Sequence, residues 1–128
     1  STVCLTDVEF ISSTVAIACG SGGNMYRSID GGETWSPIPI PVTNTVNKIM
    51  FINSLTGFGV GNKGIIILTT NGGFNWVSQV SPTQEDLFDI SFVSSTLGIA
   101  VGKNNTILQY GSILTIPVFQ LSVTSGIG

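Results

Sequence analysis

The sequence predicts an all-β protein built from three consecutive copies of one four-stranded antiparallel unit. Three observations carry this. Matched residues recur every 41 positions: Phe10, Phe51 and Phe92; Val8, Ile49 and Ile90; Ile17, Phe58 and Ile99; Gly20, Gly61 and Gly102. Within each copy, apolar residues alternate at period two between glycine-rich turns, and no stretch shows a capped helical period. Trp35 and Trp76 each close a Gly-Gly turn at the same phase. A period near 40 with Gly and Trp punctuation belongs to architectures whose units bury their apolar faces on one another.

Each unit opens with a strand: Val8 to Ile11, Ile49 to Ile52, and Ile90 to Val93. A short polar turn follows, as in Ser12-Ser13-Thr14. The second strand is small and apolar (Ala16 to Gly20, Gly57 to Gly61, Gly98 to Gly102), which implies close approach of neighbouring backbone. A tight hairpin comes next, with Gly23, Gly64 and Asn105 in equivalent places; these are the residue types that tolerate positive φ. The third strand covers 24–28, 65–69 and 106–110. A second hairpin at Asp30-Gly31-Gly32 or Asn71-Gly72-Gly73 then leads to a fourth strand opened by Trp35 or Trp76. In phase, the units run over about 8–48, 49–89 and 90–128, so that 1–111 holds the three repeats and 112–128 forms a tail.

The segment Ser28-Ile29-Asp30-Gly31-Gly32-Glu33-Thr34-Trp35 resembles a complete Asp-box, the S-x-D-x-G-x-T-W signature of BNR repeats. Thr69 to Trp76 is similar, with Asn71 for Asp and Asn75 for Thr. The strands before each box look most like the photosystem II assembly-factor-like subfamily, and the similarity covers roughly residues 8 to 110. The resemblance implies β-propeller blades and a structural role at the blade rim for Ser28, Asp30, Gly31, Gly32, Thr34, Trp35, Asn71, Gly72, Gly73 and Trp76. Asp30 is expected to accept backbone N–H bonds from its own turn, with Asn71 doing so through its amide oxygen.

Propellers close with four to eight blades. Three blades make an incomplete β-propeller arc with two apolar faces and two strand edges to cover. The tail offers one cover. From Phe119 to Thr124 it alternates strictly, with Phe119, Leu121 and Val123 on one face, preceded by Ile116 and Val118. Such a strand is either the fourth strand of blade three or one donated to a neighbouring copy by strand complementation. A head-to-tail exchange would give a ring or a fibre.

Composition narrows the function. Apolar residues make up 42% of the chain and charged residues only 9%, about a third of the usual share, which points to surfaces covered by other protein. The four basic residues, Arg27, Lys48, Lys63 and Lys103, are scattered, so nucleic acid is not an expected partner. No apolar run is long enough for a transmembrane segment. The chain opens on Ser1 without a signal peptide, which reads as a processed form or a piece of something longer, with both ends expected to be held by contacts.

Histidine is absent and Arg27 is the only arginine, so the arginine cluster a sialidase would want is missing. Carboxylates stand at Asp7, Glu9, Asp30, Glu33, Glu85, Asp86 and Asp89, and the group Glu85, Asp86 and Asp89 is read as a solvated turn before a strand rather than an acid/base pair or cation site. No enzyme, cofactor or metal site is expected. Asp7, Lys48 and Asp89 share one repeat phase and should lie side by side on successive inner strands, with Lys48 bridging the two carboxylates. Cys4 and Cys19 permit one disulfide, and Asn104 lies in the only N-x-S/T sequon, where a glycan would be accommodated.

The leading expectation is a non-catalytic structural or protein-interaction module that associates with copies of itself into an oligomer or fibre, extracellular or at a cell surface. One alternative is a photosystem II assembly-factor-like protein-binding fragment of a periplasm or thylakoid lumen. The other is a carbohydrate-binding surface using Trp35, Trp76 and Tyr26.

Overall fold

Each repeat folds into its own sheet. The computed structural model describes residues 2–111 and 118–121. Blade one contains β1 (Leu5–Phe10), β2 (Ala16–Gly20), β3 (Met25–Ser28) and β4 (Ser36–Pro37). Blade two contains β5 (Val46–Phe51), β6 (Gly57–Gly61), β7 (Ile66–Thr69) and β8 (Val77–Ser78). Blade three contains β9 (Leu87–Ser94), β10 (Leu97–Gly102), β11 (Thr106–Gly111) and β12 (Val118–Leu121). Strands pair antiparallel in chain order within each sheet, and among the described residues no strand crosses between sheets. The only helical pieces there are the 3-10 turns Ser21–Gly23 and Asn62–Gly64.

The tail strand closes its own blade. β12 pairs with β11, setting Phe119 opposite Tyr110, and the buried Phe119 ring packs edge-on to Phe58. The alternative of donation to a neighbour is therefore corrected. β11 presents its free edge a few residues away on the same chain, where the effective concentration far exceeds that of another molecule. Val118 and Leu121 lie on this strand; Ile116 and Val123 lie outside the described residues.

Two cores alternate with the three sheets. Ile17, Cys19 and Met25 of blade one meet Val46, Ile49, Ile67 and Trp76 of blade two. Phe58, Val60 and Ile66 of blade two meet Leu87, Ile90, Ala100, Leu108 and Phe119 of blade three. Each blade thus presents two different faces, and one rule of contact is used twice, displaced by one repeat.

Backbone geometry accounts for the glycines at two phases. A Cβ on Gly20, Gly61 or Gly102 would run into the carbonyls of Cys4, Thr45 and Asp86, so the second strand ends where the incoming chain crosses closely. At the hairpin, Gly23, Gly64 and Asn105 have φ of 72°, 75° and 60°, the left-handed region that Asn tolerates best after Gly.

Candidate functional site

The inner strands are bulged at one phase. Thr6 and Asn47 are each the unpaired residue of a register shift, as is Phe88 in blade three. A bulge re-aims a side chain out of the ladder. The Thr6 hydroxyl donates to the Val46 carbonyl, and the Asn47 amide donates to Leu87 O at 2.8 Å. Sequence periodicity marks these positions as equivalent but does not reveal that they staple adjacent blades.

Carboxylates add to the first of these joins. Ile49 N donates to Asp7 Oδ2 and Phe51 N to Glu9 Oε1, both at 2.9 Å. Burial raises the Glu9 pKa, and the Phe51 N–H opposes that shift. Lys48 Nζ lies 3.8 Å from Asp7 Oδ2. The expected bridge to Asp89 is not formed: the exposed Asp89 carboxylate instead accepts from the adjacent Ile90 N at 2.8 Å. At the rim, Arg27 Nε donates to Gly72 O at 3.1 Å while its guanidinium sits 3.8 Å over the Phe74 ring.

The boxes are closed local networks. In the first, Ser28 Oγ accepts from Gly32 N at 2.8 Å and donates to Asp30 Oδ1 at 2.8 Å. Thr34 donates to Asp30 twice, from its backbone N at 2.9 Å and its hydroxyl at 2.5 Å. The Thr34 hydroxyl and backbone bonds, followed by the Ser28 hydroxyl, hold the Asp30 pKa down at about 2. Trp35 Nε1 donates to Gly32 O and Trp76 Nε1 to Gly73 O.

The second box looks degenerate in sequence yet is complete in bonding. Asn75 N donates to Asn71 Oδ1 at 3.0 Å, and Asn71 Nδ2 donates back to Asn75 Oδ1 at 2.8 Å. Replacing Asp and Thr together by two asparagines reverses the donor of the side-chain bond and leaves the turn satisfied. Gly31 N and Gly72 N also tie these turns to Thr14 O and Leu55 O.

The remaining sequence candidates do not converge. Cys4 is exposed and Cys19 buried, both as free thiols, which corrects the expected bridge. Cys19 pairs across the ladder with Asp7, whereas Cys4 borders Ser21 through a 2.9 Å bond. Burial pushes the Cys19 thiol up to about 11. Asn104 Nδ2, the atom a glycan would occupy, donates to Glu85 Oε1 at 2.9 Å. Asp86 accepts from Lys63 N. Among the described residues no group of three or more His, Cys, Asp or Glu is placed to hold a metal ion. Nor is any helix there long and apolar enough to cross a membrane.

Two surfaces stand out against this satisfied interior. On blade one, Leu5, Val8, Ala18, Tyr26 and Trp35 line an open concavity of about 650 Å³. Their counterparts one repeat on, Val46, Ile49, Gly59, Ile67 and Trp76, lie where blade two packs on blade one. Trp35 is accordingly 39% exposed where Trp76 is 5% exposed, so Trp76 offers no face on which a sugar could stack. On blade three, β2 and β6 give the comparison: both are buried throughout, but β10 buries only Gly98 and Ala100 and exposes Leu97, Ile99 and Val101. These are the uncovered outer faces of the first and last blades.

Solved structures share this arrangement. A structure of YCF48 bound to a D1 peptide aligns with a TM-score of 0.79 at 21% identity, over 97% of this chain and 41% of that one. YCF48 from Cyanidioschyzon merolae gives 0.75 at 19% identity, over 93% and 39%. The chain is an arc of a β-propeller. It spans about two fifths of the length of those YCF48 chains. An ancestral GH74 enzyme also aligns, with a TM-score of 0.69 at 18% identity, over 94% of the arc and 20% of the enzyme. At such identities the likeness establishes the fold. No family model and no curated protein matches the sequence.

Proposed function

We propose that the arc is a non-catalytic protein-interaction module whose open blade faces receive another protein chain. The observation that carries this is the apolar blade-one face, exposed around Leu5, Val8 and Trp35 although Val46, Ile49 and Trp76 of blade two and Leu87 and Ile90 of blade three are buried at the same phases. Apolar surface so placed marks a protein contact. The YCF48 neighbour solved with a D1 peptide supports a peptide or protein chain as the class of ligand. Each carboxylate of the Glu85, Asp86 and Asp89 cluster already accepts a bond from the arc itself, which favours binding over hydrolysis despite the GH74 neighbour.

Self-association into an oligomer or an extracellular fibre is the narrower reading. Its support is that both halves of the inter-blade contact are exposed on one molecule. A cell-surface setting goes with that reading, and a periplasmic or lumenal one with the family resemblance. The test is titration of a fluorescent D1 peptide, and of labelled arc, into the unlabelled chain. Saturable binding of either that weakens at least tenfold in Val8→Asp or Val101→Asp is expected. If neither titrant binds saturably, the reading fails.

A further inference from the structure

We propose that copies of this chain dock head to tail, the outer face of blade three of one copy seating on the outer face of blade one of the next. This rests on the protein-interaction reading above and names its partner. Ile99 and Val101 hold the phase of Ile17 and Cys19, which pack against Val46, Ile49, Ile67 and Trp76. Leu5, Val8, Tyr26 and Trp35 hold the phase of those four receiving residues. The join would therefore be a third use of a contact the chain already makes twice, continued between molecules. Both surfaces are apolar, as the interior of such a contact requires.

Polar groups at the join are also in phase. Asp7 spends Oδ1 on the adjacent Val8 N and Oδ2 on Ile49 N of the next blade. Asp89 spends Oδ1 on the adjacent Ile90 N in the same way, but Val8 N of the next copy, at the phase of Ile49 N, is already held by its own Asp7, so that bond is not repeated at the join. The exposed Gln109 stands where Arg27 donates across the rim to a turn carbonyl, and the phase-matched acceptor is Gly31 O of the next copy. Phe88 replaces the donors Thr6 and Asn47, so that staple gives way to an apolar contact between its exposed ring and Leu5.

One feature works against docking and so identifies it. Where the chain pairs Asp7 with Lys48 internally, the intermolecular join sets Asp89 beside Asp7 of the next copy. A like-charge pair in this solvent-screened position weakens association on the order of fivefold. Contacts of this head-to-tail kind close into a ring or continue as a filament.

The test is sedimentation velocity on the whole chain over a wide concentration range. Wild type is expected to shift to larger species as concentration rises, and Asp89→Asn to do so at about fivefold lower concentration. Leu5→Asp blocks one face and Val101→Asp the other; each alone is expected to stay monomeric with an unchanged circular dichroism spectrum. Mixed, they should form a one-to-one dimer and nothing larger, because each supplies the face the other lacks. Val8→Asp and Ile99→Asp repeat the experiment should either first variant misfold. A concentration-independent wild-type monomer, or a mixture that stays monomeric, overturns the inference. D1-peptide binding by such a monomer would do so while leaving the protein-interaction reading intact.

Discussion

Trp35 and Trp76 occupy one position of one motif and make the same indole bond to their turns, yet their truncation should differ sharply. Trp76→Ala removes a side chain packed against Phe51 at 5.9 Å, edge to face, in the core between blades one and two. Large-to-small changes of buried aromatics cost about 3–5 kcal/mol through lost burial and the cavity left behind. Trp35 keeps 39% of its surface in solvent against 5% for Trp76. That gap is about a third of an indole's surface, roughly 80 Å², or ~2 kcal/mol at ~25 cal/mol per Å². Trp35→Ala should therefore cost about 1–3 kcal/mol. Equilibrium urea unfolding followed by far-ultraviolet circular dichroism, at concentrations low enough to keep blade one uncovered, measures both. Equal losses, or a larger loss at Trp35, would refute the claim that the neighbouring blade, and not the box, sets the value of the tryptophan.

Three further outcomes follow from the same geometry. The Asp30 carboxyl, held at about 2 by Thr34 and Ser28, has a folded value below its ordinary 3.8. Its contribution to stability is therefore present above about pH 4 and lost as pH falls toward 2; a carboxyl-carbon NMR titration midpoint at or above 3.8 would contradict this. With Cys19 buried and its thiol pushed up to about 11, a thiol-specific chromogenic reagent at pH 8 should titrate Cys4 alone in the native protein and both thiols in denaturant. Two native thiols reacting at the same rate would count against the packing of β2. Glu9→Gln keeps an oxygen acceptor for Phe51 N and removes a carboxylate that burial disfavours, so stability at pH 7 should change by less than about 0.5 kcal/mol. Glu9→Ala leaves that N–H without its partner and should cost about 1–3 kcal/mol, read as a shift in urea midpoint.

The repeat, the four strands of the first two blades, the first three of the third and both box turns were legible in the sequence because they depend on local chemistry. Alternation sets which face a residue takes, Gly and Asn mark positive φ at the hairpin, and an Asp or Asn two residues after Ser28 or Thr69 finds the N–H groups of its own turn. The inter-blade staples were not legible. Thr6 and Asn47 share a phase and the ability to donate, but a hydroxyl and an amide are different residue types, and a bulge that turns them toward the next blade leaves no trace in composition. Phase alone also overreached: it set Lys48 between Asp7 and Asp89, but the structure gives it Asp7 while Asp89 turns back to its own strand.

What the amino-acid order determined by itself is the unit and its count: three blades, each carrying two distinct apolar faces. Which copy of a face is interior and which is open was decided only by tertiary structure. Burial belongs to a pair of surfaces, so identical residues at Trp35 and Trp76 differ in fate according to whether a blade stands in front of them. The tail obeyed the same logic. Its alternation fitted any free edge, and the nearest edge, β11 of its own blade, is the one it took.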